Sequence, residues 1–113
     1  MDAIEKELSD MMRIMGMPAH LRGYPYAKYA ILLCVRRPEP INCVTKTLYP
    51  AVAEHFGTTA YAVEMAIRRA IDAMWHKGNR ETMLLYCGDI FRDRKPTNAE
   101  FIAVMAEKLR MLQ

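Results

Sequence analysis

Arg68 and Arg69 stand side by side in a stretch whose apolar residues recur every three or four positions, with Glu64 one helical turn earlier. A guanidinium can bond guanine O6 and N7 through two parallel N–H groups, and a glutamate can accept from cytosine N4. Tyr61 and Met65 would share that side of a helix and offer apolar surface to a thymine methyl, with Ala62 and Glu64 near its edges. The same residues also suit a solvated face with Glu64–Arg68 as an i,i+4 ion pair, and in the free protein both readings hold. Other chemistry is sparse. His20, His55, His76, Cys34, Cys43 and Cys87 show no HxxxH, CxxC or HxxE spacing, so no metal site is expected. Neither a Gly-rich phosphate loop nor GxSxG occurs, so no enzyme activity and no cofactor are expected.

The arginines need a helix to carry them. Val63, Ile67, Ala70 and Met74 step by four, three and four, which gives a helix of about eighteen residues one apolar face. Thr58 or Thr59 caps it and Gly78-Asn79 closes it. Only Gly57, Thr58 and Thr59 separate it from a preceding helix that ends near Phe56. Gly57 can take the positive φ of a sharp turn. Ala53 is small enough for close approach and Val63 is an apolar anchor one turn in, which is helix-turn-helix packing. Spacing alone leaves an ordinary αα-hairpin open.

The rest of the chain reads as further helices. Ile4, Leu8, Met11, Met12 and Met15 mark residues 2–15, closed by Gly16. Pro18, Gly23 and Pro25 make a turn, and Tyr26 to Arg36 reads as a mostly buried helix stopped before Pro38 and Pro40. Asn42 or Thr45 caps the helix that runs to Phe56, and Pro50 bends or restarts it. A short helix is expected around Glu81–Cys87. Thr97-Asn98-Ala99-Glu100 is a capping box, after which Ile102, Met105, Ala106, Leu109 and Leu112 form a buried stripe. No stretch alternates with period two, so strands are not expected. The five methionines among the first seventeen residues suit core or dimer packing.

At 113 residues the chain fits one domain, 1–113. With 52% hydrophobic and 26% charged residues it is a folding composition. The longest apolar run, Tyr29 to Val35, is too short for a membrane span. The acidic start predicts no secretory signal, and three cysteines without CxxC spacing read as reduced thiols in the cytoplasm. Net charge is +3, but residues 18–80 alone carry +5. That excess permits a polyanionic partner. Lys46, Thr58, Thr59, Arg80 and Lys95 stand near helix starts or in loops, where side chains and N–H groups can meet a phosphate. For Lys95 a solvated loop lysine is the alternative.

Several stretches in order carry a resemblance over Met15 to Arg110. They are Gly16 to His20 with Gly23-Tyr24, and Thr45-Lys46 with Leu48 to Pro50. Thr58 to Ala60 follows, with Val63-Glu64 and Ala66 to Arg68, then Trp75 with Gly78-Asn79. Last come Lys95 to Asn98, Glu100 to Ala103 and Lys108 to Arg110. Together they resemble the C-terminal DNA-binding effector domains of the sporulation response regulator family, stage 0 sporulation protein A. The resemblance implies an all-α, six-helix bundle whose helix-turn-helix reads a short DNA box, with copies touching on tandem boxes. It maps the base-reading positions onto Tyr61, Ala62, Glu64, Met65, Arg68 and Arg69, and supports Lys46 and Lys95 as phosphate contacts. Tyr61 replaces a small hydroxyl residue, Met65 an Arg and Arg69 a His, which bears on the box preferred. The receiver domain that normally precedes such an effector is not in this sequence, which fits either a cut-out of a longer regulator or a stand-alone effector.

The expectation is therefore sequence-specific binding of double-stranded DNA and transcription regulation, with RNA polymerase a further candidate partner and no membrane contact. The competing expectation is a protein-interaction module on a helix-turn-helix scaffold that has lost DNA binding, motivated by Tyr61 and Met65. RNA is a weaker third, without RNP, KH or zinc-knuckle pattern. Convergence of Lys46, Arg68, Arg69 and Lys95 on one face would favour DNA.

Overall fold

The computed structural model describes residues 2–37, 45–88 and 91–113. Among these it is all-helical, as expected: α1 (Ala3–Met15), α2 (Gly23–Arg36), α3 (Thr45–Phe56), α4 (Ala60–Lys77), α5 (Arg80–Cys87) and α6 (Asn98–Met111). Met1, Pro38, Pro40, Asn42 and Cys43, to which roles were given above, lie outside the described residues.

Local chemistry sets most boundaries. The Asp2 carboxylate accepts from the Glu5 N–H at 2.8 Å and starts α1. Asn79 does the same for α5, accepting from the Thr82 N–H at 2.9 Å. At α6 the capping box is complete: the Thr97 hydroxyl accepts from the Glu100 N–H at 3.1 Å, and the Glu100 carboxylate accepts from the Thr97 N–H at 2.9 Å. Arg94 then donates to both Glu100 oxygens, at 2.8 and 2.7 Å. Pro50 does not divide α3, which runs through it. Pro50 and Lys46, whose carbonyl loses its N–H partner, are both exposed, so water can take that bond.

Two expectations need correction. α2 begins at Gly23, three residues before Tyr26. Pro25 falls in its first turn, where N–H groups have no intrahelical acceptor, so the proline costs no bond. Gly23 is there for space: a Cβ on it would lie 2.1 Å from the Ala66 carbonyl oxygen and 2.7 Å from the Ala70 Cβ. Leu112 is 55% exposed rather than buried, because α6 ends at Met111 and Leu112 lies past its last turn.

α2 is the central element, packed on α6 and α4 most extensively and also on α1 and α3. All six helices feed one buried cluster, with Leu8, Ile31, Val52, Ile67, Met83 and Phe101 as one contributor each. Met11, Met12, Met15 and Met17 are core residues. Cys34 and Cys87 are buried outside any disulfide, and burial pushes the Cys87 thiol up to about 11.

Two predictions follow from this packing and capping. Gly57 has φ +68° but open space where a Cβ would go, so Gly57→Ala should cost about 1 kcal/mol of backbone strain. Gly23→Ala must push two backbones apart and should cost more, about 3 kcal/mol. Denaturant unfolding of both variants ranks them, and equal costs would contradict the close contact.

Bonds from Arg94 and from the Thr97 N–H hold the Glu100 carboxyl at about 2, below its ordinary 4.5. A depressed folded pKa gives stabilisation that is complete above pH about 4.5 and lost as pH falls towards 2. The melting temperature of wild type should therefore drop more steeply across that window than that of Glu100→Gln.

Candidate nucleic-acid interface

The α3–α4 turn is built as the helix-turn-helix expectation required. Gly57 sits at φ +68° and the Thr58 N–H donates to the Ala53 carbonyl at 2.9 Å. That bond, six residues back to one, closes α3 in a Schellman turn. Ala53 and Val63 are buried on either side of it. Thr59, not Thr58, caps α4, its hydroxyl accepting from the Ala62 N–H at 3.1 Å.

At 18 residues, α4 is about 27 Å long and two-sided. Val63, Ile67, Ala70, Ile71 and Met74 are buried behind. In front, Tyr61 is 72% exposed. Arg68, Arg69 and His76 are also exposed, while Ala62, Glu64, Met65 and Asp72 are half-buried. Two acids hold cations on this front. Glu64 accepts from Arg68 at 3.0 Å, and Asp72 accepts from Lys95, whose ammonium pulls the Asp72 carboxyl below its usual range. Arg69 and Lys46 have no ion-pair partner among the described residues.

A groove runs along each flank of α4. The first, about 620 Å³, lies between α4, the start of α3 and the segment leading into α6. Lys46, Arg68 and Lys95 all line it, so three of the four cations expected to converge do so. Arg69 lies on the other flank, in a second groove of about 410 Å³ with Thr58, Tyr61, Ala62 and Met65. Arg80 lines neither: its guanidinium lies over the Trp75 ring, 3.7 Å from the centroid, and donates to the Trp75 carbonyl at 3.1 Å.

Tyr49 and Asn98 also line the first groove, and sequence reasoning gave neither a role. Asn98 is buried, and its amide donates to the Glu64 carbonyl of α4 at 2.9 Å. It also bonds the side chain of Tyr49, whose hydroxyl is pushed up chiefly by burial. One side chain thus joins α3, α4 and α6. These partners lie 34 and more residues away in sequence, so no local pattern announces them.

A family model described as "Sporulation initiation factor Spo0A C terminal" matches residues 8–109. The chain belongs to this family. The match takes in the whole helix-turn-helix and both grooves. Spo0A C-terminal domains are DNA-binding sporulation effectors and not a known enzyme family, so DNA binding and transcription regulation are the general activity. No described helix is long and apolar enough to cross a membrane. As a Spo0A-type domain, the chain carries two carboxylates, Glu64 and Asp72, on the outward front of α4, and a polyanion docked there would meet both. Asp72→Asn removes one and releases Lys95. It should tighten binding to any duplex several-fold and steepen the salt dependence, read by fluorescence anisotropy over a salt series.

Proposed function

We propose that the domain reads a specific duplex-DNA box with the first two turns of α4 in the major groove, acting as one unit, 1–113, in the cytoplasm. The observation that carries this reading is the convergence of Lys46, Arg68 and Lys95 on one groove beside α4, with Arg69 on the opposite flank. In this reading Arg68 bonds a guanine edge, Glu64 a cytosine amino group, and Tyr61, Ala62 and Met65 meet the groove floor. Arg69 reads a base beside them. Lys46, Thr58, Thr59 and Lys95 hold phosphates, while Arg80, stacked on Trp75, is the weakest of the phosphate candidates.

The ion pairs in front of α4 do not oppose this. An exposed i,i+4 pair such as Glu64–Arg68 contributes about 0.3–0.5 kcal/mol, whereas a bidentate guanine contact contributes about 1–3 kcal/mol. The exchange favours DNA wherever a guanine is in place. Other copies of the domain on tandem boxes, and RNA polymerase, are further partners in this reading. A second reading, a protein-interaction module, draws on the exposure of Tyr61 beside Met65.

Selection of bound sites from random duplexes supplies the box. Arg68→Ala should then cost about 1–3 kcal/mol on the box and much less on a scrambled duplex. Lys46→Ala should weaken both by a similar factor, since a phosphate carries no sequence information. Equal losses for Arg68→Ala on both duplexes would make it a backbone contact. No loss for either variant would favour the protein-interaction reading.

A further inference from the structure

A helix in a major groove lies between two phosphate strands, across a groove about 12 Å wide. Among the residues discussed so far, the two lysines suited to phosphates, Lys46 and Lys95, both stand on the Glu64–Arg68 flank of α4. The opposite flank has Tyr61, Met65 and Arg69 on α4 itself and Thr58 in the turn. Across that second groove stands Arg22, immediately before α2.

The place of Arg22 is fixed by its neighbour. Gly23 packs so closely on α4 that a Cβ would lie 2.1 Å from the Ala66 carbonyl oxygen, so the start of α2 cannot drift from the recognition helix. The Arg22 side chain is exposed, makes no capping hydrogen bond and has no ion-pair partner among the described residues. Its backbone is anchored at the edge of the groove, and its guanidinium is left able to reach a partner there.

The distribution of acids at helix starts is independent of that geometry. α1, α5 and α6 carry Glu5, Glu81 and Glu100 in their first turns. α2, α3 and α4 carry none. The three acid-free starts all border the two grooves along α4. A helix start carries partial positive charge, which first-turn acids offset at α1, α5 and α6 and which no first-turn acid offsets here. The start of α6 also borders the first groove, but both oxygens of its Glu100 are engaged by Arg94.

We propose that Arg22 contacts a DNA phosphate on the strand opposite the one held by Lys46 and Lys95, so that cations from both sides straddle α4. This rests on the DNA reading above. The test compares wild type, Arg22→Ala, Arg22→Lys and Lys46→Ala on the selected box and on a scrambled duplex over a salt series. Arg22→Ala should weaken both duplexes by a similar factor and flatten the log–log salt slope by about 0.9. Arg22→Lys, which keeps the charge, should restore most of both. Wild-type binding with a slope near zero would sink the DNA reading and this proposal with it. Steep wild-type binding that Arg22→Ala leaves unchanged would overturn this proposal alone. Duplexes bearing one uncharged methylphosphonate at a time then locate the contact. The position silent in Arg22→Ala should lie on the strand opposite the position silent in Lys46→Ala, and a shared strand would overturn the straddle.

Discussion

The contact of Gly23 with the backbone of Ala66 decides where the outward face of α4 points. With no side chain between them, α2 and α4 meet backbone to backbone, and a single methyl group would part them. A similar contact fixes the far end of α4. A Cβ on Gly78 would lie 2.2 Å from the Met15 carbonyl, and the Asn79 N–H donates to that same oxygen at 3.2 Å. Asn98 makes the third hold, on the carbonyl of Glu64. α4 is thus gripped behind, at its end and along one side, by α2, α1 and α6. The grip uses backbone contacts, the Asn98 amide and the side chains buried behind, and it leaves Tyr61, Arg68 and Arg69 exposed in front.

Those front side chains are arranged to balance each other while no partner is present. Arg68 rests on Glu64 and Lys95 on Asp72. Exposed pairs of this kind contribute about 0–1 kcal/mol, too little to lock the face. In the proposed mode of binding their acids have a second effect. A duplex without a guanine beside Arg68 would still bring its phosphates towards Glu64 and Asp72. Asp72 would repel the phosphates of every duplex alike, whereas Glu64 would gain a cytosine bond only on matched DNA and repel the rest, a repulsive contribution to selectivity.

Much of this was legible in the sequence, and what was not has a common cause. The α6 capping box needs four adjacent residues, and the turn at Gly57 needs a glycine between two apolar steps. Both signals are local and both are realised. The front of α4 was legible because helical period alone separates Val63 and Ile67 from Tyr61 and Arg68. The start of α2 was not, because Gly23 and Pro25 are breakers in general and harmless in a first turn. The reason for Gly23 lies 43 residues away, at Ala66. The engagement of Lys95 by Asp72 spans 23 residues and the Asn98 bond to Glu64 spans 34. Contacts at such separations leave no periodic trace. Leu112 fits the stripe of α6 by spacing, but the helix stops one residue short of it.

Because the grip on α4 comes from behind, its front is free to change. Tyr61 is largely bare, Arg69 is exposed, and neither fills the core that sets the fold. In the proposed mode of binding, replacements at these positions alter what the helix recognises at little cost to the fold, whereas the buried rear positions set the packing. If α4 reads DNA as proposed, a lineage of such domains can drift in the DNA words it prefers while inheriting one unchanging frame. New regulatory circuits can then arise by respelling a few outward letters.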